Sequence, residues 1–125
     1  MGRLLLVEDH PFNAEAMQRL LAKKGGHEVR VAYDGPAALD AAREWLPDLA
    51  LLDIGLPGMS GLELARHLKA SPATARIILV ALTASVDSGD HRAALAAGCV
   101  AVETKPLELE RIIPLLARLL GSTRT

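Results

Sequence analysis

Three acids, a hydroxyl and a lysine follow short apolar runs along this chain, and each is of a type that handles phosphate or a divalent cation. LeuLeuLeuVal at positions 4 to 7 leads into Glu8 and Asp9, and LeuAlaLeuLeu at 49 to 52 leads into Asp53. IleIleLeuValAlaLeu at 77 to 82 ends at Thr83, and Val100, Ala101 and Val102 precede Lys105 and Pro106. Gathered at one place, the three carboxylates have no structural rationale of their own. Two like charges ~4 Å apart repel by on the order of 4 kcal/mol at an effective dielectric near 20. A hard divalent cation offsets that repulsion, and a few carboxylates completed by phosphate oxygens and water suit Mg2+. Lys105 adds a counter-charge and a point-charge phosphate ligand, and the Thr83 hydroxyl can donate to a phosphoryl oxygen.

What gathers them is a β/α alternation repeated five times. Short apolar runs separated by helical patterns read as buried parallel strands. Strands are expected at about 3–8, 28–32, 48–53, 76–82 and 100–104. Pro11 sits at a first helical position, and a helix carrying Met17, Leu20 and Leu21 on one face stops at Gly25 and Gly26. Asp34 opens a second helix with Ala38, Leu39, Ala42 and Leu46 at helical spacing, closed by Pro47. Ser60 and Glu63 form a capping box for a third, which buries Leu64 and Leu68. A fourth is expected from about Asp87 to Gly98, and a fifth from Leu109 to Leu120. Pro114 lies too deep in the fifth for a first-turn proline and should remove one ladder bond. The fifth helix also carries Ile112, Ile113, Leu116, Leu119 and Leu120, more than one buried stripe needs, so part of it is expected to face a partner or a second copy.

The second strand alternates polar and apolar residues as an edge strand does. With right-handed crossovers this favours an α/β, flavodoxin-like (βα)5 sandwich, a five-stranded parallel sheet in the order 2-1-3-4-5. Its switch point falls between strands one and three, where Glu8, Asp9 and Asp53 end their strands.

Bulk composition narrows the function classes. The 125 residues read as one domain, with a core at about 3–121 and a frayed tail at 122–125. Acidic and basic residues nearly balance at a net charge of −1, and no basic cluster interleaved with aromatics marks a nucleic-acid surface. Phe12, Tyr33 and Trp45 are the only aromatics, so Leu, Val, Ile and Ala must build the core. Cys99 is the single cysteine, which suits a reducing cytosol. No apolar stretch approaches the length of a membrane span. The chain therefore reads as a cytoplasmic domain with no membrane and no nucleic-acid partner.

The segments LeuLeuValGluAsp (5 to 9), LeuLeuAspIleGlyLeuProGlyMetSerGly (51 to 61), AlaLeuThrAla (81 to 84) and ThrLysPro (104 to 106) closely resemble the receiver domain of bacterial response regulators. Each segment alone is weak, but the four in this order and at these separations are specific. The likeness is strongest to stand-alone receivers of the chemotaxis and cell-cycle kind and to receivers of hybrid sensor kinases. It implies that Asp53 is the phosphoacceptor for a histidine kinase or a histidine phosphotransfer protein. It further implies that Asp9, Asp53 and the Gly55 carbonyl hold Mg2+ (Mn2+ being an alternative), with Glu8 acting through water. Lys105, Thr83 and the backbone N–H groups of Gly55 and Ala84 would bind phosphoryl oxygens.

On the same resemblance the chain is a phosphorylation-controlled binding module, not an enzyme with a separate substrate. Its downstream protein would dock on the face made by the fourth helix, fifth strand and fifth helix, and it would be a monomer or a weak homodimer. The alternatives are a receiver cut from a hybrid kinase or longer regulator, and an Mg2+-dependent aspartyl-phosphate phosphatase. Gly55, where the phosphatase needs a second carboxylate, argues against the latter. Three positions depart from the family pattern. Val102 replaces the usual switching aromatic. Gly55 and Ser85 stand at the positions that set phosphoryl lifetime. His10 replaces a frequent Asn or Asp, and is expected to be solvated or to cap a helix.

Overall fold

A computed structural model describes residues 2–84 and 88–121. The elements in chain order are β1 (Arg3–Val7), α1 (Pro11–Gly25), β2 (Glu28–Ala32), α2 (Gly35–Trp45) and β3 (Leu49–Asp53). They continue with α3 (Gly61–Ala70), β4 (Ile78–Thr83), α4 (Ser88–Ala96), β5 (Ala101–Thr104) and α5 (Leu109–Gly121). All neighbouring strands pair in parallel in the order β2-β1-β3-β4-β5, the flavodoxin-like order expected from the alternation. Expected start and end points shift by one or two residues. β4 begins at Ile78 rather than near Arg76, because residues 71–77 form turns whose carbonyls are tied down by a side chain. Lys69 donates to the carbonyl oxygens of Ala75 and Ile77 at 2.8 and 2.7 Å. Asp87, Ser85 and the 122–125 tail lie outside the described residues.

The two faces of the sheet each bury one set of alternating side chains. Leu5, Val7, Ala50, Leu52, Leu79 and Ala81 pack with Ala38, Ala42, Leu64, Leu68 and Ala94 from α2, α3 and α4. Leu4, Leu6, Leu49, Leu51, Val80 and Leu82 pack on the other side with Ala14 and Leu21 of α1 and Ile112, Leu115, Leu116 and Leu120 of α5. Covering on both faces is why β1, β3 and β4 are continuous apolar runs. Trp45 is the one aromatic that is buried; Arg3 and Arg30 lie 5.5 and 4.7 Å from its ring centroid.

Helix ends follow local chemistry. The Asp34 side chain accepts from the Ala37 N–H at 2.8 Å, and the Ser60 hydroxyl accepts from the Glu63 N–H at 3.2 Å, each satisfying an orphan donor of the first turn. Gly26 caps α1 at φ 70°, a left-handed conformation that glycine takes without penalty. His10 is the N-cap of α1 by position and makes no side-chain capping bond; its side chain is exposed, the solvated one of the two expected settings.

Two expectations about helix faces are corrected. Leu20 is 42% exposed, because it flanks the α1 stripe that Ala14 and Leu21 bury. In α5, Ile112, Leu116 and Leu120 are buried and Ile113 and Leu119 are half-buried. The apparent excess of apolar residues there is mostly core. Pro114 is inside α5 yet exposed, and lacking an N–H it leaves the Glu110 carbonyl without its ladder donor.

Candidate functional site

β1 and β3 are adjacent and parallel, with Val7 paired to Leu52. The residues that follow them therefore emerge at one edge, the crevice where ligands of such sheets bind. Ligand oxygens of Glu8, Asp9 and Asp53 all lie within 4.8 Å of one another. Glu8 and Asp53 are 2% and 6% exposed, while Asp9 is open to solvent. Lys105, following β5, reaches across the strand ends: its Nζ donates to Asp53 Oδ2 at 2.7 Å and to Glu8 Oε1 at 2.9 Å. Partial burial pulls the Lys105 ammonium down, but the hydrogen bonds and charges of Asp53 and Glu8 outweigh it and leave the group above an ordinary lysine.

Backbone completes the site. The Gly55 N–H donates to Asp53 Oδ1 at 2.9 Å, and the His10 N–H donates to Glu8 Oε2 at 3.2 Å. Both oxygens of Asp53 thus have a donor, which fixes the carboxylate plane. Thr83 ends β4, buried, and its carbonyl accepts from the Lys105 N–H at 2.7 Å. That bond and the Thr83–Thr104 pairing hold the threonine beside the lysine, with Ala84 exposed immediately after it. Seven site positions scattered from 8 to 105 are thereby brought to one end of the sheet.

Three carboxylates against one ammonium leave a local charge of −2. All donors available are oxygens, one of the three acids is open to solvent, and the cluster can hold a metal ion. The chemistry fits a hard cation such as Mg2+, which keeps several waters and takes few protein ligands.

Gly61 is a contributor that residue types did not signal. A Cβ there would overlap the Asp53 carbonyl oxygen and lie 2.8 Å from its carbonyl carbon and 2.9 Å from Ile54 Cα. Its own N–H donates to the Ile54 carbonyl at 3.2 Å. Only a residue without a side chain lets α3 start this close beneath the loop that follows Asp53. Met59 anchors the same loop from outside, seated where a Cβ on Gly35 would be. The sequence clue to Gly61 was its position just after the Ser60 cap.

The sequence pattern of the response regulator receiver domain matches residues 4–117. The polar-differentiation response regulator DivK of Brucella anthropi is 36% identical over 118 residues, covering 94% of this chain and 95% of that protein. Among solved structures, the receiver domain of sensor histidine kinase PA1611 from Pseudomonas aeruginosa superposes with a TM-score of 0.86 at 31% identity, covering 96% of this chain and 98% of that one. That structure has a magnesium ion coordinated in its active site cleft. The receiver domain of a signal transduction histidine kinase from Syntrophus aciditrophicus gives a TM-score of 0.89 at 30% identity, covering 99% and 93% of the two chains. With the sheet order, the acidic crevice and these likenesses in agreement, the chain belongs to the response regulator receiver domain family.

Proposed function

We propose that Asp53 accepts a phosphoryl group from a phosphohistidine on a histidine kinase or histidine phosphotransfer protein. One Asp53 carboxylate oxygen attacks phosphorus, the P–N bond breaks, and the departing imidazole nitrogen keeps the electron pair and takes up a proton. The observation that carries the reading is the held carboxylate, with Gly55 N–H on one oxygen and Lys105 on the other. Phosphoryl transfer needs positioning and charge stabilisation more than covalent help.

Glu8, Asp9, Asp53 and the Gly55 carbonyl would hold Mg2+ or Mn2+, which when bound neutralises charge on the transferring group. Lys105 is already within reach of Asp53, so it can follow charge onto the phosphoryl oxygens without a large movement. The Thr83 hydroxyl and the Ala84 and Gly55 N–H groups would receive the remaining oxygens.

Output would pass from Thr83 to the face formed by α4, β5 and α5. Val102 is half-buried against the core cluster of α2, α3 and α4, so the swing of an aromatic ring is replaced by a shift of Thr83 and its neighbours. Leu95 and Val100 are 45% and 53% exposed on this side. The Arg111–Glu103 ion pair at 3.3 Å links α5 to β5, a contact that repacking would break. The downstream ligand in this reading is a protein, and signalling takes place in the cytoplasm.

Intact-mass measurement after incubation with acetyl phosphate and Mg2+ tests the acceptor. Wild type should gain one phosphoryl group and Asp53→Asn none. Equal labelling of the two would refute the assignment.

A further inference from the structure

We propose that the exposed face of α1 is a contact for a second copy of this chain, two α1 helices packing antiparallel about a two-fold axis beside Ala16. Phe12 is 75% exposed, the highest of the large apolar residues described, and Leu20 on the same helix is 42% exposed. At 3.6 residues per turn, Phe12, Ala16, Arg19 and Lys23 occupy one narrow arc, opposite the buried Ala14 and Leu21. Glu15 flanks this arc on one side. Leu20 flanks it on the other, beside a groove of about 400 Å³ between α1 and α5 lined by Met17, Leu107, Leu109 and Ile112.

Charge selects the occupant. Acidic Asp9 and Glu15 lie at the start of this segment, and Arg19, Lys23 and Lys24 lie towards its end. A surface polarised in this way is complementary to itself when turned end for end, and it repels itself when parallel. With the axis at Ala16, the small residue sits at the crossing and lets the backbones approach. Each Glu15 then lies two residues, about 3 Å along the helix axis, from Arg19 of the other copy on the same flank, within reach of these long side chains. Each Phe12 lies on the aliphatic stems of Arg19 and Lys23 of the other copy, where a guanidinium over the ring adds attraction. Leu20 interdigitates beside the groove, and Lys23 comes level with Asp9. Every contact away from the axis occurs twice, as an isologous interface requires. One helix face per copy is a small interface, so the dimer is weak, with a dissociation constant on the order of 100 µM.

Sedimentation velocity of the full chain, at concentrations from ~10 µM to ~1 mM at low salt, tests it against that weak-interface range. The weight-average mass should rise with concentration from 13.3 kDa towards twice that value. Phe12→Ser, Glu15→Arg and Arg19→Glu should each weaken association about tenfold or more, since each change removes two symmetric contacts. The double swap Glu15→Arg with Arg19→Glu should restore association to within about threefold of wild type, because it reverses both partners of each pair. Unchanged circular dichroism melts would show that the variants remain folded. A wild type that stays monomeric throughout overturns the proposal, as does a double swap no better than its single parents. So does a monomeric protein whose Phe12 and Arg19 variants lose only phosphoryl transfer from a protein donor, which would assign the face to that donor.

Discussion

Replacing Lys105 by Met isolates the electrostatics on which the site depends. In the wild type its ammonium bonds Glu8 and Asp53, both nearly buried, at 2.9 and 2.7 Å. Methionine keeps much of the stem's bulk but leaves two carboxylates no more than 4.8 Å apart with no counter-charge. At that separation and an effective dielectric near 20, they repel by about 3.5 kcal/mol. The lysine side chain is 25% exposed and Asp9 is open to water, so solvent reduces the net cost to about 2–3 kcal/mol. For a domain of this size that lowers the melting temperature by about 10 °C. Thermal melts should be run without divalent metal at low ionic strength. The deficit should shrink in ~1 M salt, where the Debye length falls to about 3 Å, and should shrink again when Mg2+ is added. A second change fixes the sign. Asp53→Asn removes an attractive partner of Lys105 in the wild type, but in the Lys105→Met background it removes one of three clustered, repelling carboxylates, so there it should raise the melting temperature. A Lys105→Met protein melting within ~2 °C of wild type, a shift worth well under 1 kcal/mol, would refute the reasoning. So would Asp53→Asn lowering stability in both backgrounds.

Three further outcomes are expected. Gly61→Ala should slow acetyl-phosphate labelling of Asp53 at least about tenfold while costing about 1–3 kcal/mol of stability, whereas Gly58→Ala, at φ 74° but with open space around it, should cost stability with little effect on labelling; equal rates in Gly61→Ala and wild type would show that the contact with Asp53 does not orient the acceptor. His27 is buried, its Nδ1 has no hydrogen-bond partner, and burial followed by the N-terminal charge lowers its pKa, so the unfolded chain takes up its proton first. Stability from the neutral imidazole is therefore complete above about pH 6.5 and is lost as pH falls below it, and His27→Leu should flatten the fall in melting temperature between pH 7.5 and pH 5; an unchanged slope would refute this. Burial pushes the Cys99 thiol up to about 11, with Lys69 opposing, so iodoacetamide at pH 8 should label it only as the protein unfolds, and fast labelling of the native chain would be the contrary result.

The strands and their order could be read because a doubly covered parallel sheet writes itself as uninterrupted apolar runs, and the half-exposed β2 alternates. The convergence of Glu8, Asp9, Asp53, Thr83 and Lys105 followed from the order alone, since parallel strands deliver all their carboxyl ends to one edge. Helix faces were harder. Leu20 and Ile112 are both apolar residues on an amphipathic helix, but Leu20 misses the narrow stripe of α1 while Ile112 faces the sheet squarely. Periodicity ranks such positions by spacing and cannot say how wide a stripe the neighbouring elements will cover.

The division of labour among the acids depended on still more local geometry. Glu8 and Asp9 are adjacent in sequence, yet one is nearly sealed against Lys105 and the other faces water. Side chains of consecutive residues at the end of a strand point to opposite sides, so only one of the pair can turn towards the lysine stem. That asymmetry has a chemical consequence. Lys105 ties Glu8 and Asp53 together through contacts within the chain itself, so much of the site is organised by the fold. Asp9 is the carboxylate left open to solvent, where the hydration shell of an incoming ion would meet it. Gly61 works on the same principle from below, because the overlap its Cβ would make with the Asp53 carbonyl shows how closely α3 packs against that backbone. On the proposed function, a tightly held Asp53 beside an acid open to solvent suits in-line transfer, since the nucleophile must be aimed.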